Sequence, residues 1–186
     1  MRLTRLYTRT GDDGFTRLAD GAEVAKDSPR VAAYGTVDEL NSVLGLALAG
    51  PLDARLATEL ERVQNELFDL GGDLATPRES EPGFEVPRLT QERVDRLEAL
   101  IDELTAATGP LENFVLPGGT PGAATLQLAR AVCRRAERHA VSLAREAETG
   151  VVVPYLNRLS DLLFAMARYE NHARSVPEPL WRPGAD

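Results

Sequence analysis

The chain has 186 residues, 43% of them hydrophobic, enough for one domain with its own core. With 21 Lys and Arg against 29 Asp and Glu, its net charge of −8 excludes broad nucleic-acid binding, which needs a positive face, but permits a small anion site. One cysteine (Cys133) and two histidines leave no internal disulfide and no structural zinc set.

In chain order, residues 1–35 stand apart. They are rich in Gly, Asp, Thr and Arg, carry no long apolar period, and contain Thr10-Gly11-Asp12-Asp13-Gly14. The opening Met1-Arg2-Leu3-Thr4-Arg5 is basic and lacks the apolar run of a secretion signal, so a cytoplasmic protein is expected. No window reaches the roughly 18 apolar residues of a membrane span.

From Thr36 the chain reads as helices. Thr36 and Glu39 form a capping box ahead of the stripe Val37, Leu40, Val43, Leu44, Ala47 and Leu48, which Gly50-Pro51 ends. A second helix runs from about Asp53 to Leu74, and the loop at 76–88 carries three prolines. A third begins near Thr90 and stops at Gly109-Pro110. The fourth starts at Thr120 with Pro121 in first position and continues to about Glu148. The fifth follows Pro154 and ends near Ser175. No strand alternation competes, so the fold class predicted is all-α, a five-helix bundle. One domain over 1–186 is expected: a loop segment at 1–35, the bundle at 36–175 and a tail at 176–186.

Three places suggest chemistry. Arg134 and Arg138 stand at i and i+4 on the fourth helix, a spacing at which two guanidinium forks can hold phosphate oxygens. The same spacing fits a solvated face partnered by Glu137. Gly11 and Gly14, among Thr8, Thr10 and Thr16, can wrap a phosphate chain, with Arg9, Arg17 and Lys26 adding positive charge; taken alone, these residues read more simply as a flexible, turn-rich tail. The loop is not a P-loop, because the Gly-Lys-Ser/Thr ending is absent. Phe114-Val115-Leu116-Pro117-Gly118-Gly119 is apolar for an interhelix loop, able either to wall a flat ligand or to plug the bundle. Asp38 and Asn41 lie on the polar side of the first helix, and Asn157 and Phe164 give the fifth a second contact face. His139 and His172 form neither a dyad nor a metal pair.

Taken together, six blocks resemble the PduO-type ATP:cob(I)alamin adenosyltransferases across nearly the whole chain. They are Tyr7–Gly14, Lys26–Val31, Tyr34–Ser42, Phe114–Gly119, Cys133–Arg138 and Tyr155–Asp161. The resemblance implies a helical bundle with an N-terminal ATP-binding loop that assembles as a homotrimer, ATP and corrinoid meeting at subunit interfaces. It implies transfer of the 5′-deoxyadenosyl group of ATP to cob(I)alamin, with triphosphate released. By this resemblance Thr8, Arg9, Thr10, Gly11, Asp12, Gly14 and Thr16 fold over the phosphates, and Lys26, Arg134, Glu137, Arg138 and Asn157 hold ATP and its Mg²⁺. Asp38 and Arg134 match an intersubunit ion pair that orders the corrinoid site, and Phe114 matches the aromatic below the corrin. Arg134, Asp38 and Phe114 are the implied catalytic set, with no dedicated protein metal site. A flavoprotein reductase is the implied partner, and neither nucleic acid nor membrane is. Two departures stand out: Arg9 replaces a common Lys, and Asp13 replaces another, removing one cation beside the phosphates. A corrinoid escort without transferase activity and a plain helical interaction module are the competing readings.

Overall fold

The computed structural model describes Tyr7 and residues 9–184; Thr8 lies outside the described residues. Among these, the elements run β1 (Phe15–Arg17), β2 (Glu23–Ala25), α1 (Pro29–Ala49), α2 (Ala54–Ala75), α3 (Gln91–Thr108), α4 (Pro121–Ala144) and α5 (Val152–Ala173). The five-helix, all-α expectation holds. α1 packs on α2 and α4, α4 on α5, and α5 on α3.

The core follows from the stripes. Leu40, Leu44, Leu56, Leu60, Leu67, Leu97, Leu126, Leu156 and Leu163 are all essentially sealed from solvent. Small residues on α4 (Ala129, Cys133, Ala136 and Ala140) are equally buried and let its neighbours approach closely. Against this apolar interior stands a polar seam across α2, α3 and α5. Arg96 on α3 bonds Glu59 at 2.9 Å and Glu66 at 2.7 Å, both on α2. The Tyr155 hydroxyl of α5 donates to the same Glu66 oxygen at 2.7 Å, so the buried acid is held by a cation and a phenol at once.

Several boundaries differ from the sequence reading. α1 begins at Pro29 behind N-cap Ser28, not at Thr36. Its buried stripe reaches back to Ala33, and Thr36 is a buried mid-helix residue whose hydroxyl donates to Ala32 O at 2.8 Å. Thr36 and Glu39 only imitate a capping box; proline in first position, preset to helical φ, makes the real start. α4 stops at Ala144 rather than near Glu148, and α5 starts at Val152, so Pro154 sits in its first turn, where a missing N–H costs no helical bond. α5 ends at Ala173 rather than near Ser175. The other three starts match: Thr90 is the N-cap of α3, Asp53 accepts from Arg55 N and Leu56 N, and Thr120 accepts from Ala123 N.

The 1–35 segment also holds structure that no strand pattern announced. β1 and β2 pair antiparallel, Thr16 opposite Val24. Buried Leu18 and the bond from Ala19 N to Ala75 O at 3.1 Å dock this hairpin on the end of α2. Arg30 adds a second tie, donating to Leu74 O at 2.7 Å. At the other terminus the tail returns over the bundle, with Val115 and Leu180 forming an antiparallel bridge.

Candidate active site

Four surfaces carry the residues singled out in the sequence. The first is the loop ahead of α1. Arg9, Thr10, Gly11, Asp12, Thr16 and Lys26 gather with Tyr7 around a cavity of about 490 Å³. Lys26 Nζ donates to Gly11 O at 2.5 Å, and Lys26 N to Gly14 O at 2.9 Å, which closes the loop on itself. Gly14 has φ 91°, a left-handed conformation that glycine adopts at no steric cost. A side chain at Gly11 would meet both Lys26 Nζ and Phe15 O at 3.0 Å. Asp13 accepts from Phe15 N at 3.3 Å, so it shapes the turn. Arg9 lies over the Tyr7 ring at 5.7 Å.

The second surface joins α4 and α5. Arg134, Glu137 and Arg138 line a cavity of about 350 Å³ with Arg145, a further cation that the sequence reading passed over. Asn157 of α5 donates to Glu137 Oε1 at 3.0 Å, and Arg158 donates to Asn157 Oδ1 at 2.6 Å. Glu137 is therefore held by Asn157, and no ion pair among the described residues neutralises Arg134 or Arg138 within the chain. Arg135, one residue on, pairs with Glu39 of α1. Two exposed guanidinium groups without acids, beside an oriented carboxylate, suit an anion together with a cation shared between them.

The third is a mostly apolar groove of about 400 Å³ between α1 and α2. Tyr34, Gly35, Asp38 and Asn41 line one wall; Phe68, Gly71 and Gly72 line the other. Phe68 is 80% exposed, which helix packing alone leaves without a purpose. Asn41 Nδ2 donates to Gln64 O at 3.2 Å, yet its Oδ1 is buried without a partner among the described residues. Asp38 and Arg134 thus line different cavities of one chain and form no ion pair within it.

The fourth surface is the loop before α4. Phe114 is 75% exposed, so it does not plug the bundle. Its ring meets Trp181 edge-on, with centroids 5.8 Å apart, at a cavity of about 390 Å³. Trp181 N donates to Phe114 O at 2.8 Å and Leu116 N to Pro179 O at 2.8 Å, so the tail pins the loop. The only tryptophan of the chain, exposed in a Pro-rich end, was the available signal for this contact.

The cobalamin adenosyltransferase family model matches residues 6–170. A corrinoid adenosyltransferase of Mycobacterium leprae (strain TN) is 48% identical over 192 residues, covering 99% of this chain and 98% of the relative. One of Bacillus subtilis (strain 168) is 49% identical over 176 residues, covering 92% and 88%. Among solved structures, a variant PduO-type ATP:corrinoid adenosyltransferase from Lactobacillus reuteri, complexed with cobalamin and ATP, superposes with TM-score 0.90 at 41% identity, covering 96% of this chain and 99% of that one. With a matching family model, close relatives over the full length and the same bundle, this chain belongs to the cobalamin adenosyltransferase family.

Proposed function

We propose that this protein transfers the 5′-deoxyadenosyl group of ATP to a cob(I)alamin-type corrinoid and releases triphosphate. The observation that carries the reading is the α4 cavity, where Arg134 and Arg138 stand exposed and form no ion pair among the described residues. The reacting cobalt is itself the nucleophile. Its electron pair attacks C5′ of ATP, the Co–C bond forms, the C5′–O bond breaks, and the pair leaves on triphosphate, taking cobalt from Co(I) to Co(III). No protein base is required; the task left to the chain is to meet growing negative charge on the leaving oxygens and to hold the line of attack.

Arg134, Arg138 and Lys26 are the cations for that charge, with Thr8, Arg9, Thr10, Gly11, Asp12, Gly14 and Thr16 closing over the phosphates. Mg²⁺, which keeps most of its waters and binds through one or two carboxylates plus phosphate, fits Glu137 as its one protein carboxylate, oriented by Asn157. Bound there, it would neutralise phosphate charge. The apolar groove at Asp38 and the exposed Phe114 ring are the corrinoid surfaces. Phe114 keeps an axial ligand off the lower face, easing reduction of Co(II) to Co(I) by an external flavoprotein reductase.

These surfaces are completed between subunits in a homotrimer, Asp38 of one copy pairing with Arg134 of the next. Supporting this, neither residue has an ion-pair partner among the described residues although the two sit on packed helices α1 and α4. No helix of the described residues is long and apolar enough to cross a membrane.

The test is anaerobic mixing with ATP, Mg²⁺ and chemically reduced cob(I)alamin. A light-sensitive cobalt–carbon product with one triphosphate per turnover is the expected result. Corrinoid binding without product would replace the transferase reading with an escort protein.

A further inference from the structure

Asn171 lies in the last turn of α5 and is only 3% exposed. A buried primary amide must find partners for both its oxygen and its NH₂ group. Its Oδ1 accepts from Thr120 N at 2.9 Å, and its Nδ2 donates to Gly118 O at 3.2 Å. Its backbone carbonyl accepts from Val176 N at 2.9 Å, where the tail leaves α5. One residue thus grips the start of α4, the end of the Phe114 loop and the root of the tail. Gly119 gives way to it: a Cβ there would lie 2.2 Å from Asn171 Oδ1, and φ is 92°.

One turn earlier, buried Arg168 holds the other end of the same loop, donating to Gly109 O at 3.1 Å and to Glu178 of the tail at 3.1 Å. Both ends of the α3–α4 connection are therefore fastened to α5. The Phe114 ring, in contrast, is packed into no core. Apart from the edge contact with Trp181, its place is set by its backbone, and its backbone is set by these anchors and by the Val115–Leu180 bridge to the tail. An exposed ring located in this way moves whenever the anchor moves.

We propose that Asn171 is a positioning residue for the corrinoid half of the reaction, acting through Phe114 by fixing Gly118 and Thr120 against α5. The inference rests on the reading of Phe114 as the residue beneath the corrin. It predicts that Asn171 matters where the lower axial ligand must be kept off cobalt, and little where cobalt is already Co(I).

The experiment is a double-mutant cycle with Asn171→Asp and Phe114→Ala on the full chain. Asparagine to aspartate keeps the acceptor for Thr120 N but turns an oxygen toward Gly118 O, pushing the loop away. Turnover is followed from Co(II)alamin with a reductant and from pre-reduced Co(I), with KM for ATP and the Co(II) absorption spectrum recorded. In N171D, turnover from Co(II) should fall about tenfold or more, since small misplacements of reacting groups cost factors of that order. Turnover from Co(I) and KM for ATP should stay within about threefold, and N171D should add nothing once Phe114 is alanine, because residues acting as one unit are non-additive. Equal loss from both starts, or losses that multiply in the double variant, would overturn the positioning role. If Phe114→Ala leaves the Co(II) reaction intact, the Phe114 reading falls and this inference with it; a damaging F114A beside a silent N171D sinks the inference alone. Should N171D fold poorly, Asn171→Ser, which leaves room for a bridging water, is carried through the same cycle and must give the same selective loss.

Discussion

Arg134 shows how much a single residue can reveal once its neighbours are known. It sits on an exposed turn of α4, beside Arg138 and Arg145, and no hydrogen bond or ion pair among the described residues uses its guanidinium. Arg134→Ala is expected to keep the melting temperature within a degree or two while lowering turnover by at least about a hundredfold, the scale seen when a charge-stabilising donor is removed. Thermal unfolding beside the cob(I)alamin assay checks both halves; near-normal turnover would end the assigned role. Gly119 is the opposite kind of residue, structural in cause but felt at the site. Gly119→Ala meets Asn171 at 2.2 Å in a left-handed conformation, so a loss of about 1–3 kcal/mol in urea unfolding is expected.

At the scale of elements, the helices were legible where an apolar period ran unbroken. Leu56, Leu60, Val63, Leu67 and Leu70 define α2 without help, and Asp53 and Thr120 announce their helices by capping chemistry that the structure reproduces. The start of α1 was hidden because Ser28 makes no side-chain cap and Gly35-Thr36, inside the helix, reads as a break followed by a cap. Three-residue strands are too short to show alternation, so the hairpin left no trace. Arg134, Glu137 and Arg138 could be read from helical spacing, whereas Trp181 and Asn171 could not, since their contacts join segments distant in sequence. That Asp38 and Arg134 line separate cavities is a fact of packing, invisible in any local pattern.

The α2–α3–α5 seam makes its own prediction. Burial, then the Glu66 carboxylate, pushes the Tyr155 phenol well above its ordinary 10.0. Burial likewise raises the Cys133 thiol above its ordinary 9.0. Both groups keep their protons longer when folded, so the stability they lend is complete below those ordinary values and is lost as pH climbs past them. Unfolding free energy should be flat near neutrality and decline above about pH 9, first through Cys133 and then Tyr155. In Tyr155→Phe the decline beyond pH 10 should be shallower, as measured by urea titrations across that range.

For the whole molecule, the decisive question is where one active site's parts come from. If Asp38 and Arg134 meet between copies, then Asp38→Arg and Arg134→Asp each abolish turnover alone, while co-expressed single variants regain a fraction of it in mixed trimers whose interfaces include one with both native residues. Recovery in the mixture, with sedimentation at three times the chain mass, is the expected outcome. A monomeric, fully active protein would remove the shared-site arrangement and leave the family assignment standing.

The end of α2 carries a consequence for the timing of folding. Its last four carbonyls are met by Thr76, Arg88, Arg30 and Ala19, three of them from other segments of the chain. Such a terminus cannot be finished locally, so the final turn waits for the N-terminal hairpin and the 76–90 loop to arrive. During synthesis the hairpin emerges first and stays idle until α2 has left the ribosome. The turn it then locks carries Gly71, Gly72 and Ala75, one wall of the apolar groove. In pulse-labelled amide exchange during refolding, protection of this turn, and with it that groove wall, is expected to arrive after the rest of the helix.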